Sequence, residues 1–125
     1  YNTTMIIKNL DDLPSFIAGD LTEIKEVLHP KNEPIELNYS LAHATVAVGA
    51  SSVPHVLTDS SEVYFILSGM GTAYVDEQPI EMKEGSVLLI PKGANQWIEN
   101  KGQTPLTFLC IVSPPWTKAQ EIVKT

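Results

Sequence analysis

Residues 49–69 read GASSVPHVLTDSSEVYFILSG, and residues 85–100 read GSVLLIPKGANQWIEN. Each segment begins at a glycine and contains a short apolar run, rich in strand-forming residues, that ends in turn residues. Three side chains that can coordinate a metal ion, His55, Glu62 and Gln96, lie in or beside these runs. The two segments therefore predict short strands that carry polar side chains at defined intervals.

The spacing within the two segments resembles the two-part signature of the cupin superfamily. That signature is G-x5-H-x-H-x3/4-E-x6-G followed by G-x5-P-x-G-x2-H-x3-N, and residues 49–69 and 85–100 match it at every fixed position except two. Leu57 and Gln96 stand where the family has metal-binding histidines. The resemblance covers nearly the whole chain and implies one cupin domain, residues 1–125, folded as an all-β, cupin-type antiparallel β-barrel, also called a double-stranded β-helix or jelly roll.

The remaining sequence agrees with many short strands. Residues 72–75, 80–82 and 106–112 are predicted strands bounded by turn residues, and residues 37–48 alternate as a strand does. Residues 21–28 fit both helical and strand spacing, and the resemblance favours a strand. We also expect a short edge strand at Ile6–Ile7, a helical turn near Asp11, and a tail at 119–123 that is either a short helix or packs across the barrel mouth.

Length and composition limit the class of protein. A chain of 125 residues forms one domain, and its apolar runs are shorter than a membrane helix requires. The single cysteine, Cys110, excludes an intramolecular disulfide and favours a reducing, cytoplasmic location. We expect Cys110 to be a buried small apolar residue.

Charge limits the partners. Fifteen acidic and eight basic residues give a net charge of −7, which opposes binding to nucleic acid and to an anionic membrane. An anionic small molecule remains compatible with this charge, because a bound divalent cation would dominate the potential of a pocket.

The resemblance implies a metal site made by His55, Glu62 and Gln96. We expect a loop that carries His55 to lead into a strand starting at Glu62. Without a metal site, His55 would be a solvated loop histidine and Glu62 a water-facing residue at the start of that strand. An inward carboxylate is costly unless it is paired or bound to a cation. Gln96 can coordinate a metal through its amide oxygen or form only a hydrogen bond, and both remain open. With Leu57 unable to coordinate, binding of Zn, Fe, Mn or Ni should be weaker and less selective than in a site with more histidines.

Three further side chains could carry chemistry. Tyr64 follows Glu62 by two residues, so strand alternation places both on one face. Some cupin lyases have a similar Glu-x-Tyr in which the tyrosine acts as acid or base, whereas the alternative is an ordinary core tyrosine. His43 is predicted as a surface residue or a further inward donor, and His29 as a surface residue of a turn.

The resemblance implies a metal-dependent enzyme that acts on a small polar molecule such as a sugar derivative, a keto acid or a carboxylate. Isomerase, lyase and dioxygenase activities all occur on this fold. The alternative is a cupin that binds a small ligand without catalysis. We also expect a homodimer formed through strands or the N-terminal segment, because a partner would cover exposed strand edges.

Overall fold

The computed structural model describes residues 4–124, which form two antiparallel β-sheets and two 3₁₀ turns, Leu10–Asp12 and Lys118–Gln120. No helix among these residues has the length and apolar character needed to cross a membrane. The strands are β1 (Phe16–Ile17), β2 (Glu23–Leu28), β3 (Ser40–Val46), β4 (His55–Leu57), β5 (Ser61–Ser68), β6 (Met70–Val75), β7 (Gln78–Lys83), β8 (Val87–Ile90), β9 (Asn95–Asn100), β10 (Leu106–Ser113) and β11 (Glu121–Val123).

The two sheets enclose the core between them. One has the strand order β1-β2-β3-β10-β5-β8, and the other has the order β11-β4-β9-β6-β7. Buried residues of both sheets form one apolar cluster, in which Ile66 on β5 and Phe108 on β10 contact a group that includes Ile98 on β9. This architecture confirms the predicted all-β, cupin-type jelly roll.

Strand β10 shows how alternation builds this core. It pairs with β3 on one side and β5 on the other, so it lies in the middle of the larger sheet. Every second residue, Leu106, Phe108, Cys110 and Val112, is buried, while the residues between them are less buried and face outward. Within residues 21–28, which were predicted as a strand, Glu23–Leu28 form β2, and Cys110 is buried as predicted.

The two chain ends differ from each other in how they meet the sheets. The predicted edge strand at Ile6–Ile7 is wrong: these residues belong to no strand, and Ile7 is almost fully exposed. Lys8 instead ties this segment to the Val27 carbonyl and to Glu33. The tail forms β11, which pairs with β4 and adds an edge strand to the smaller sheet.

Two histidines also differ from expectation. His29 is not a surface residue; its ring is buried, and its Nε2 lies 2.8 Å from the Trp116 carbonyl oxygen. The sequence His29-Pro30 marks the turn correctly but does not show that the segment around Trp116 covers it. His55 lies in β4 and not in a loop, because β9 and β11 flank it.

The motif glycines Gly69 and Gly85 provide a test of the fold. Both have a φ of +86°, a left-handed conformation that costs a residue with a Cβ about 1–2 kcal/mol. A Cβ on Gly85 would meet nothing within 4 Å, whereas one on Gly69 would lie 2.7 Å from the Pro105 carbonyl oxygen.

We therefore expect Gly85→Ala to lower the free energy of unfolding by about 1–2 kcal/mol. Gly69→Ala should lower the free energy of unfolding by a further ~1–3 kcal/mol, because the backbone of the neighbouring loop must move. Urea denaturation of both variants measures the difference. Equal losses would show that the close approach of this loop to Gly69 is incorrect.

Candidate functional site

A cavity of about 450 Å³ lies inside the barrel. Apolar side chains from the larger sheet, such as Ile24, Ala44 and Phe108, form much of its wall. The polar groups of its wall include carboxyls, an imidazole, a phenol and a thiol, contributed by Asp20, His55, Glu62, Tyr64, Cys110 and Glu121. The cavity therefore combines an apolar body with a concentrated set of titratable groups.

His55 is held by both strand pairing and a ring hydrogen bond. In the register of β4 and β9 it lies directly opposite Gln96, and it is only 3% exposed. Its Nδ1 lies 2.9 Å from the Val53 carbonyl oxygen. Because a carbonyl oxygen only accepts, Nδ1 carries the proton, and Nε2 is directed toward Asp20 Oδ2 at 3.7 Å.

Asp20 and Glu121 join His55 to form a cluster that sequence reasoning did not identify. One ligand-capable atom from each of the three residues lies within 4.8 Å of those of the other two. Asp20 comes from the turn between β1 and β2, and Glu121 is the first residue of β11. No interval in the sequence links these positions, so only the pairing of β11 with β4 and the path of the early turn bring them together.

A second polar group contains Glu62, Tyr64 and Gln96. The Tyr64 hydroxyl donates to Gln96 Oε1 at 2.6 Å. The Gln96 amide and the Cys110 thiol both interact with the Glu62 carboxyl. All four residues are buried. They form a connected network in which each polar side chain has a partner.

Burial controls the protonation of this network. It raises the pKa of Glu62 to about 8, and the nearby Asp20 carboxylate adds to the rise. Burial likewise raises the pKa of Tyr64 well above its usual value, with a further contribution from Glu62. Near neutral pH, Glu62 is therefore mainly a neutral acid that can donate a hydrogen bond, and Tyr64 keeps its proton.

The structure brings the four predicted site residues into one buried region but divides them between the two groups. His55 faces Asp20 and Glu121, whereas Glu62 and Gln96 are linked to Tyr64. A common cation held by His55, Glu62 and Gln96 stays a prediction. Leu57, at the position of a family histidine, is buried and lines the cavity with hydrocarbon.

His43 does not belong to this region. It lies on the outward face of β3, where its cross-strand neighbours are Lys25 and Leu109. Partial burial lowers its pKa, and the charge of Lys25 adds to the effect. Of the two alternatives for His43, the surface position is confirmed.

The buried Glu62 should make stability depend on pH in the metal-free protein. Because its folded-state pKa of about 8 exceeds the ordinary value of 4.5, the folded protein keeps a proton that the unfolded chain loses between these values. Stability should fall as pH rises from 4.5 to about 8, by at most ~5 kcal/mol at ~1.4 kcal/mol per pH unit. Glu62→Gln should remove the contribution of Glu62 and leave only that of Glu121, whose pKa is also raised, whereas Glu84→Gln, at an exposed turn, should leave the whole fall in place. Urea denaturation from pH 5 to pH 9 in EDTA measures it; the same slope in wild type and Glu62→Gln would contradict it.

Comparison with known proteins agrees with this architecture. The family model for the cupin domain matches residues 42–112. An uncharacterized protein of Methanocaldococcus jannaschii is 38% identical over 92% of this chain and 92% of its own length. An oxalate-binding protein of Thermotoga maritima is 30% identical over 88% of this chain and 94% of its own. A solved structure described as a predicted oxalate decarboxylase from Thermotoga maritima superposes with a TM-score of 0.79 at 21% identity, covering 87% of this chain and 99% of that one. With the family model spanning more than half of the sequence and relatives matched along nearly all of it, the chain belongs to the cupin family.

Proposed function

We propose that this cupin binds a small carboxylate or keto acid in its cavity through a divalent cation and acts on it as an enzyme. The observation that carries the proposal is the convergence of an imidazole and two carboxyl groups, from His55, Asp20 and Glu121, on the wall of an otherwise largely apolar cavity. Such a cation would act as a Lewis acid on a ligand oxygen. The cavity would bury the rest of the ligand.

The charges in the cavity support a role for a cation. Glu62 and Glu121 each have a raised pKa, caused first by burial and also by the charge of Asp20. These carboxyl groups repel one another, so an anionic ligand would be repelled as well. A divalent cation would offset this repulsion, and it would make carboxylate binding depend on metal.

The shape of the cavity and one relative suggest the ligand class. The oxalate-binding relative makes a small carboxylate a reasonable ligand here. The cavity wall formed by Ile24, Ala44 and Phe108 suits a ligand that also has a hydrocarbon part. A keto acid with a branched side chain combines both features. Neutral Glu62 could donate a hydrogen bond to such a ligand, and Tyr64 is the proposed acid or base.

The second candidate function is binding without catalysis. The hydrogen bond from the Tyr64 hydroxyl to Gln96 Oε1 supports it, because this bond directs the proton of the phenol into the protein and away from a ligand. A tyrosine that is buried and held in this way is a recognition or packing group until the bond to Gln96 opens.

We expect calorimetry with EDTA-treated protein to detect no binding of oxalate or 4-methyl-2-oxopentanoate, and to detect binding of at least one of them after one equivalent of Zn²⁺ or Mn²⁺ is added. Butyrate, which has no oxygen on the carbon next to its carboxylate and so cannot form a five-membered chelate, is the control and should bind at least ~10-fold more weakly. Carboxylate binding of equal strength with and without a cation would contradict the proposal.

The same ligands separate the two candidate functions. If Tyr64 is the acid or base, Tyr64→Phe should lower turnover by ~10²–10⁴-fold while ligand affinity changes only a few-fold. If wild type binds these ligands and none is consumed, as followed by NMR, the binding function replaces the enzyme.

We further propose a homodimer, formed through the outer face of the six-stranded sheet. Two cross-strand rows on this face are apolar: Leu109, Phe65 and Val87 in one, and Ile111, Val63 and Leu89 in the other. The side chains at the end of the sheet are well exposed; Val87 is 63% and Leu89 is 65% exposed. An exposed apolar surface of this kind is typical of an interaction site.

Area and charge both favour a second copy of the chain as the partner. The six strands contain 35 residues, so at ~3.3 Å per residue and ~4.8 Å between strands the face covers ~550 Å². Two such faces bury ~1,100 Å², which exceeds the ~1,000 Å² expected of a biological interface. The two rows contain no carboxylate, so two chains of charge −7 could meet there without close repulsion.

The proposed cytoplasmic location is supported by the buried thiol Cys110.

We expect sedimentation velocity at micromolar concentration to give a dimer for wild type and a monomer for Phe65→Lys. Val48→Lys, on an exposed residue outside this face, should remain dimeric. A monomeric wild type would rule out the dimer, and a dimeric Phe65→Lys would place the interface elsewhere.

A further inference from the structure

The residues that surround His55, Asp20 and Glu121 suggest how a cation is held. Each of the three side chains has one part fixed by a neighbouring group and another part directed toward the others. For His55, the fixed part is Nδ1, which donates to the Val53 carbonyl at 2.9 Å. This bond leaves the lone pair of Nε2 directed at the cluster. A ligating histidine commonly has its second ring nitrogen bound to a carbonyl in this way.

Asp20 is oriented by Thr22. Its Oδ1 accepts hydrogen bonds from the Thr22 amide at 3.1 Å and from the Thr22 hydroxyl at 2.6 Å. These bonds leave Oδ2 to face His55 Nε2 at 3.7 Å. The Asp20 carbonyl also accepts from the Val53 amide at 2.7 Å, so the backbone that bears Asp20 is fixed to the backbone that orients His55.

Glu121 is placed by strand pairing and by Trp116. In the register of β11 and β4, Glu121 lies opposite Leu57, so its side chain points into the cavity like that of Leu57. The indole N–H of Trp116 interacts with its carboxyl group. The backbone of the preceding residue, Gln120, accepts a hydrogen bond from the Thr58 amide at 3.1 Å, which fixes the start of β11.

The distance between His55 and Asp20 is suited to a shared cation and not to a direct hydrogen bond. The separation of 3.7 Å between His55 Nε2 and Asp20 Oδ2 exceeds that of a hydrogen bond. It is close to the ~3.4 Å that separates two donors in a tetrahedral site with bonds of about 2.1 Å. All three residues line the cavity, so a cation between them would have further positions open to water or a ligand.

We propose that Asp20, His55 and Glu121 are the protein ligands of a divalent transition-metal site, with Asp20 and Glu121 taking the place of the two histidines that Leu57 and Gln96 have replaced. The proposal deepens the proposed function, on whose cation it rests. One imidazole nitrogen and two carboxylate oxygens suit Zn²⁺, Mn²⁺ or Fe²⁺, and the imidazole disfavours Mg²⁺ and Ca²⁺. Glu62 and Gln96 are then free to remain in their network with Tyr64.

Calorimetry on EDTA-treated protein tests the ligand set with Zn²⁺ as the probe. Wild type should bind one Zn²⁺ per chain, and Asp20→Asn and Glu121→Gln should each weaken binding at least ~10-fold. Glu62→Gln is the matched control, since it changes another carboxyl of the same cavity, and it should stay within about threefold of wild type. No Zn²⁺ uptake by wild type would overturn the proposal. So would loss of uptake in Glu62→Gln with uptake kept in Asp20→Asn, which would restore the ligand set implied by the motif.

Two measurements keep the test decisive if a ligand variant unfolds, which circular dichroism would reveal. Trp116→Phe keeps all three donors and should weaken Zn²⁺ binding ~10-fold, because it removes an orienting group. Wild type loaded with Co²⁺ should give a visible spectrum without a thiolate charge-transfer band; such a band would show that Cys110 is a ligand and would overturn the proposal.

The outcome also separates this site from the proposed function. If Zn²⁺ binding depends on Asp20 and Glu121 but oxalate and 4-methyl-2-oxopentanoate never bind, the site stands and the proposed function fails. If these ligands bind only with a cation, and Asp20→Asn and Glu121→Gln keep full affinity for both, the function stands and the site fails.

Discussion

The candidate site depends on the pairing of β4 with a strand on each side. β4 has only three residues, yet its pairing with β9 sets His55 opposite Gln96, and its pairing with β11 sets Leu57 opposite Glu121. Side chains alternate along these short strands, so His55, Leu57 and Glu121 point into the cavity, whereas Val56 and Ile122 point away from it. Two hydrogen-bonded neighbours thus bring together residues from the middle and the end of the sequence.

Charge makes this arrangement costly in the absence of a compensating ion. Asp20, Glu62 and Glu121 lie near one another in the cavity wall and are at least partly buried. Among the described residues of that wall, His55 and Lys118 are the ones that can carry a positive charge. The protein limits the cost in part by keeping Glu62 protonated. Buried carboxyl groups without a compensating charge are destabilising, which supports the proposal that this pocket holds a cation.

The sequence predicted the turns and strand faces that depend on local residue patterns. The spacing of Gly49, Gly69, Gly85 and Gly93 fixed the turns, all four of which have positive φ, and strand alternation placed Glu62 and Tyr64 on one inward face. The contributions of distant segments could not be predicted in this way. His29 was expected at the surface because Pro30 marks a turn, and only tertiary packing brings the Trp116 carbonyl oxygen within 2.8 Å of its Nε2.

Asp20 and Glu121 were missed for the same physical reason. Each is a single acidic residue in a segment without a motif, and its place in the cavity results from backbone hydrogen bonds to residues far away in the chain, such as that between the Asp20 carbonyl and the Val53 amide. The two motifs identify the strands that form the cavity wall. They carry no information about the segments that close over it.

The two tryptophans occupy very different environments. Trp97 is stacked on Tyr74, with ring centroids 3.9 Å apart, whereas Trp116 lines the cavity and its indole N–H meets the Glu121 carboxyl. Indole emission responds to nearby charge and hydrogen bonding, so the fluorescence of Trp116 is sensitive to any change at Glu121, while Trp97 supplies a steadier background. The protein therefore contains an intrinsic fluorophore in the cavity wall whose emission should respond to a change at Glu121.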